Sequence, residues 1–180
     1  KQNEGFVLKD VTNKSMQICS RTLTSIKADL EKVEKAIDEV ITSDEELKRL
    51  FGLITSVIGI GKVTAAQIII TTNEFKDINN PKKFACYSGV APFTRESGIF
   101  KGKDKVSQMA NKKVKTLLHM SALTAILYNE DLKIYYERKV KENKNKMSII
   151  NAVRNKLILR IFSCVNQNRK YDKNYIRNVA

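Results

Sequence analysis

Histidine is nearly absent from this sequence. His119 is the only one in 180 residues, so neither a histidine metal cluster nor a paired-histidine relay is available. Cysteine is scarce and scattered: Cys19, Cys86 and Cys164 stand far apart and form no CxxC pair. An odd, dispersed set argues against a disulfide framework and against a zinc site, and a reducing cytoplasm is expected. Long apolar runs are also missing. The most apolar stretch, Val63 to Ile70, falls far short of the roughly 18 residues of a membrane span. No basic segment is paired with a strongly apolar aromatic face, which leaves no basis for a membrane-surface role. Lys1 is followed by no charged-then-apolar leader, so no secretion signal is expected, and the absent initiator Met is expected of a piece of a longer chain. Strand-type alternation is not evident anywhere.

Acidic charge is abundant at one end and scarce at the other. Residues 1–58 carry nine Lys and Arg against ten Asp and Glu, whereas residues 138–180 carry 12 against two. The overall balance is +14, and neutralising backbone phosphates is the commonest reason for so one-sided an excess. A merely solvated lysine-rich surface is the alternative. With 42% hydrophobic residues, the chain can build one ordinary core plus an appendage.

Cys19, Leu23, Ile26, Leu30, Val33, Ile37 and Val40 recur in steps of four and three, a heptad seam on one face of a helix. The seam must be covered by an intramolecular helix or by the same helix of another copy. Ser43 followed by Glu46 reads as a capping box opening a second helix, with Leu47, Leu50, Phe51 and Ile54 on its buried face. Gly59-Ile60-Gly61 then permits a tight turn before a helical pattern through about Thr71. A turn-rich connection follows from Thr72 to Lys82, and a short helix over 82–88 ends at Gly89. Pro92 to Lys105 holds no sustained periodicity and reads as a loop. Three further helices are expected around Val114–Ala125, Asp131–Lys141 and Ile149–Val165. The expected fold is mainly α: a long coiled-coil-type helix in a connecting region 1–46, then a helical domain 47–180 containing a helix-hairpin-helix at about 50–71.

The string Val57-Ile58-Gly59-Ile60-Gly61-Lys62-Val63-Thr64-Ala65 resembles the hairpin used for sequence-neutral DNA contact. Its glycines would let a phosphate approach the free N–H groups of the following helix, with Lys62 and Thr64 adding charge and a hydroxyl. It is not a dinucleotide fingerprint, because no strand precedes it and the third glycine is missing. A plain glycine-rich turn is the simpler alternative.

After this string come Gly89-Val90-Ala91-Pro92, then Ser97-Gly98 on a basic loop (about 89–106), then Ser107 and Asn111 before an amphipathic helix. With Tyr128-Asn129, Tyr135-Tyr136-Glu137-Arg138 and Lys156-Leu157, this order resembles the C-terminal domain of the insertion-sequence "one-ten" transposases, relatives of the Piv/MooV DNA invertases. The likeness covers about residues 47–175.

The resemblance implies bacterial DNA strand cleavage and rejoining in which Ser97 is the attacking nucleophile. It further implies an RuvC-like domain, elsewhere in the protein, whose acidic residues hold a divalent metal such as Mg, with no cofactor held by the present residues. Arg95, Lys101, Lys103 and Lys105 flank Ser97, and Lys112 and Lys113 open the next helix; together with Gly59, Gly61, Lys62 and Thr64 they are the expected nucleic-acid contacts. DNA is the expected partner, with an element-encoded guide RNA and self-association through the first helix also implied. The chain departs from the family at Ser107-Gln108-Met109-Ala110-Asn111, where relatives carry a basic residue and a glycine. Ser107 is a weaker candidate for the chemistry. Tyr87, Tyr135 and Tyr136 fit base stacking less well than packing. The rivals are a helix-hairpin-helix module that binds nucleic acid without chemistry, and a coiled-coil scaffold with incidental charge.

Overall fold

The computed structural model describes residues 9–173, except the side chains of residues 9, 10, 94–96, 100, 101, 103 and 104. The elements are α1 (Lys9–Ser43), α2 (Glu45–Thr55), α3 (Lys62–Thr72), α4 (Pro81–Tyr87), β1 (Pro92–Ser97), β2 (Phe100–Val106), α5 (Lys112–Tyr128), α6 (Glu130–Lys141) and α7 (Lys146–Asn166). The chain is therefore mainly helical. Among the described residues no helix is long and apolar enough to cross a membrane.

Two compact units divide the chain, Lys1–Glu45 and Glu46–Ala180. The first is essentially α1, 35 residues long, or about 50 Å at 1.5 Å per residue. Its heptad side chains are open to solvent: Leu23, Ile26, Leu30 and Val33 are each about half exposed. Ser43 does not act as the expected cap. Its hydroxyl donates back to the Val40 carbonyl, and the Glu46 carboxylate is held instead by Arg49.

In the second unit α5 packs against α3, α6 and α7, and α4 packs against α7. Leu118, Ala122 and Ala125 of α5, Ala65 and Ile68 of α3, and Val153, Leu157, Ile158 and Ile161 of α7 are almost wholly buried together. The Phe162 ring meets Phe75 edge-on at 5.0 Å and Phe84 at 5.4 Å. Asparagine starts four of these helices. The side chains of Asn80, Asn111, Asn129 and Asn145 each accept a first-turn N–H, satisfying donors that have no partner within the helix. On α6, Glu130 and Asp131 lie in the first turn and Arg138, Lys139 and Lys141 in the last, the arrangement the helix dipole favours.

The connection after α3 carries three consecutive left-handed residues, Asn73, Glu74 and Phe75, at φ 48°, 57° and 64°. Such residues cost roughly 1–2 kcal/mol each outside glycine. Burial of the Phe75 ring and a hydrogen bond from its N–H to Thr72 Oγ1 at 3.1 Å oppose that cost.

The segment read as a loop is a two-stranded antiparallel hairpin. Pro92 pairs with Val106 at its base and Ser97 with Phe100 at its tip, with a register shift between Phe93 and Arg95. Gly98, at φ 57°, takes the first position of the two-residue turn Gly98-Ile99, where a left-handed residue matches the twist of the strands.

Candidate nucleic-acid interface

The Gly59-Ile60-Gly61 turn joins α2 to α3, but its two glycines do different work. Gly59 lies at φ 97°, and a Cβ there would stand 2.6 Å from Ala125 Cβ and 2.7 Å from the Ser121 carbonyl oxygen. Its missing side chain therefore admits α5, not a phosphate. Thr64 is likewise turned inward, buried with its hydroxyl 3.3 Å from Ser121 Oγ. Gly61 has open space where a Cβ would stand and is the N-cap of α3. It and Lys62 are exposed, so only half of the expected hairpin contacts face solvent.

Ser97 is exposed at the far end of the β-hairpin. Five residue-to-residue steps of extended strand separate it from Pro92, or about 17 Å. Gly98 is required by the turn itself, so a Ser-Gly pair has a structural explanation for its second member only. The side chains of Arg95, Lys101 and Lys103 lie outside the described residues. Lys105 is exposed near the hairpin base, and Lys112 and Lys113 are exposed in the first turn of α5.

The divergent string Ser107–Asn111 builds the start of α5. Ser107 Oγ accepts the Met109 N–H at 3.2 Å, and Asn111 Oδ1 accepts the Val114 N–H at 3.1 Å. Ala110 sits against Gly89, which at φ 64° would clash with it if it carried a Cβ, 2.5 Å away. The glycine of Gly89-Val90-Ala91-Pro92 thus makes room for Ala110. Tyr87 is tied to the same place, its hydroxyl accepting from Asn111 Nδ2 at 3.0 Å. Tyr135 and Tyr136 pack partly buried against the core, and Lys156 lies 4.6 Å over the Tyr135 ring.

Sequence reasoning missed a cleft of about 790 Å³ lined by β2, α5 and α7, including Lys105, Lys115, His119, Ser148 and Arg154. Arg154 is only 6% exposed yet has no carboxylate partner among the described residues. Its guanidinium donates to His119 Nδ1 and weakly to Asn151 Oδ1, and its Nε is buried without a hydrogen-bond partner. Burial holds the Arg154 pKa below its ordinary value. His119 is also lowered, first by burial and then by the neighbouring Arg154 charge. A signal was present: Arg154 lies four residues after Ile150 and three before Leu157, in the middle of an apolar stripe. Among the described residues no three His, Cys, Asp or Glu gather into a metal-binding group, so the described residues do not fit the implied divalent metal.

Residues 52–137, from α2 through the turn, the hairpin and α5 into α6, match the transposase IS116/IS110/IS902 family. Over that span the chain is similar to the IS110-type transposases. It is 25% identical over 168 residues to the pilin gene-inverting protein of Moraxella bovis, covering 92% of this chain and 50% of that protein. An insertion element IS116 uncharacterized protein of Streptomyces clavuligerus is 28% identical over 123 residues, 64% of this chain and 31% of its own length. An insertion element IS110 uncharacterized protein of Streptomyces coelicolor is 22% identical over 158 residues, 88% and 39% respectively. The chain thus spans half or less of the length of these relatives.

Proposed function

We propose that this chain is the DNA-handling part of a recombinase that moves or inverts DNA segments, and that it presents Ser97 for phosphodiester strand transfer. The observation that carries this reading is the kinship with transposases and a gene-inverting protein, in a chain whose serine stands exposed at the tip of a projecting hairpin. In the proposed step Ser97 Oγ forms a bond to phosphorus as one backbone P–O bond breaks, and the freed sugar oxygen takes up the proton. A serine hydroxyl is a weak nucleophile until activated, and the described residues supply no acidic cluster that would hold a metal beside it. Self-association through the open seam of α1 and contact with an element-encoded RNA are parts of the same proposal.

Two measurements test it. DNA affinity of this chain should fall by about a thousandfold or more between about 50 and 200 mM salt, as several phosphates are neutralised. A flat salt response defeats the binding half. With the chain joined to an RuvC-like acidic domain, a labelled element end should yield a covalent adduct on a denaturing gel, mapping to Ser97. Ser97→Ala should abolish the adduct while barely changing affinity, because phosphate contacts dominate binding. An adduct that persists in Ser97→Ala, or that maps to Ser107 or a tyrosine, removes Ser97 from the chemistry. A second reading, binding without chemistry, is favoured by the turn role of Gly98, and it predicts no adduct in either protein.

A further inference from the structure

Among the described residues Arg154 is the one buried charged side chain, and its hydrogen-bond partners include no carboxylate: His119, Asn151 and, at 3.7 Å, the Met147 sulfur. A buried cation is costly unless it is paired. The space beside it is a cleft with two further cations on its lining, Lys105 from β2 and Lys115 from α5, and with no Asp or Glu among the described residues that line it. The first turns of α5 and α7, which flank it, contain no acidic residue either.

We propose that this cleft is a binding site for a backbone phosphate of nucleic acid, with Arg154 as its innermost cation and Lys105 and Lys115 as its outer ones. Guanidinium is less strongly hydrated than ammonium and its planar fork matches phosphate oxygens, so the most buried of the three positions is the one suited to arginine. Cations contributed by three separate elements fit a polyanion that crosses the opening better than a single carboxylate. The site lies at the base of the hairpin, opposite the end that carries Ser97. A strand gripped at the base is therefore anchored at the end of the hairpin away from the proposed nucleophile, the strand from Pro92 to Ser97 being about 17 Å long. The inference rests on the nucleic-acid reading above and assigns it a location.

His119 makes the site measurable. Its Nδ1 accepts from Arg154, so the neutral ring carries its proton on Nε2. Arg154 from α7 contacts it directly, and Lys115 from α5 and Lys105 from β2 line the same cleft. An anion docked among them offsets the charge that helps hold the histidine pKa down. As the only histidine in the chain, it gives a single imidazole resonance to follow.

The experiment titrates His119 by NMR in the 180-residue chain, with and without a saturating short oligothymidylate, while fluorescence anisotropy reports binding independently. The expected result is a rise of about one unit in the histidine pKa on binding. Arg154→Gln should weaken the oligonucleotide roughly tenfold and remove the coupling. Should that variant not fold, Lys115→Glu carries the same direction, with weaker binding and a smaller rise. Oligonucleotide binding that leaves the His119 titration unmoved overturns the site while leaving DNA binding intact. No oligonucleotide binding at low salt defeats the nucleic-acid reading itself. A response to inorganic phosphate but not to the oligonucleotide, or Ser148→Glu raising the melting temperature while the oligonucleotide leaves His119 unchanged, assigns the cleft to a free anion or to a protein carboxylate and overturns the proposal.

Discussion

The two longest helices carry similar sequence patterns and meet opposite fates. α1 repeats apolar residues from Cys19 to Val40, and α7 repeats them from Ile149 to Val165. In α7 the stripe is wide: Ile149, Ile150, Val153, Leu157, Ile158, Ile161 and Phe162 are all buried. In α1 the stripe is a narrow a/d seam with charged neighbours, and its residues remain roughly half exposed. Width of the apolar face separates a helix that belongs inside a core from one whose seam would suit a single partner helix. An exposed seam of this length has much to gain from a second copy, whereas α7 is already satisfied.

The largest way to sharpen that contrast is to cut into each stripe. Phe162 is almost fully buried and joins two other rings, so Phe162→Ala should cost about 3–5 kcal/mol of stability. Leu30→Ala, 56% exposed, should cost no more than about 0.5 kcal/mol at concentrations where the chain is monomeric. Urea denaturation followed by circular dichroism measures both. Equal losses break the distinction.

A smaller effect compares the two glycines of the α2–α3 turn. Gly59→Val meets the Ser121 carbonyl and Ala125 from a left-handed backbone, and about 3 kcal/mol of destabilisation is expected. Gly61→Ala enters open space at an ordinary φ of −89° and should cost less than about 1 kcal/mol. A thermal midpoint that falls equally in both would mean that the turn does not pack on α5.

The helices were legible in the sequence because their apolar periods are long and regular, as in α5, where Val114, Leu118, Ser121, Ala122 and Ala125 fall on the buried side. The hairpin was not. Strand recognition relies on alternating burial, and between Phe100 and Val106 every second residue is Lys or another polar type, so neither face advertises a core. The available signal was the Gly-x pair flanked by short polar runs, with glycine where a two-residue turn needs it. The candidate site was legible only in part. Motif strings pointed to the Gly59–Thr64 turn and to Ser97. They could not show that Gly59 and Thr64 face α5, since that depends on residues some 60 positions away. Arg154 and His119 escaped for the same reason: they lie on different helices and meet only in the folded chain.

Replacing Ile26, Leu30 and Val33 by polar residues should convert an oligomer to a smaller species in sedimentation, with the melting of the second unit unchanged. A wild-type chain that is already monomeric at tens of micromolar breaks the claim that the α1 seam seeks a second copy.

The smallest effect is chemical and needs no change in stability. The chain has three thiols in three settings: Cys19 exposed on α1, Cys86 intermediate on α4 and Cys164 buried on α7. Burial pushes the Cys164 thiol above its ordinary value, against the lowering influence of Arg169, Ser56 and Arg160. Because the thiolate is the reactive form, Cys164 should resist alkylation at pH 8 until the chain unfolds, and peptide mapping can score each site separately. Cys19 opens the heptad seam, so its reactivity reports on the partner helix. In dilute protein it should alkylate quickly, and at concentrations that favour association it should be protected. In the variant with polar residues at 26, 30 and 33 that protection should vanish while Cys164 stays shielded. Protection of Cys19 that persists in that variant, or that does not depend on concentration, means that something other than a second seam covers it.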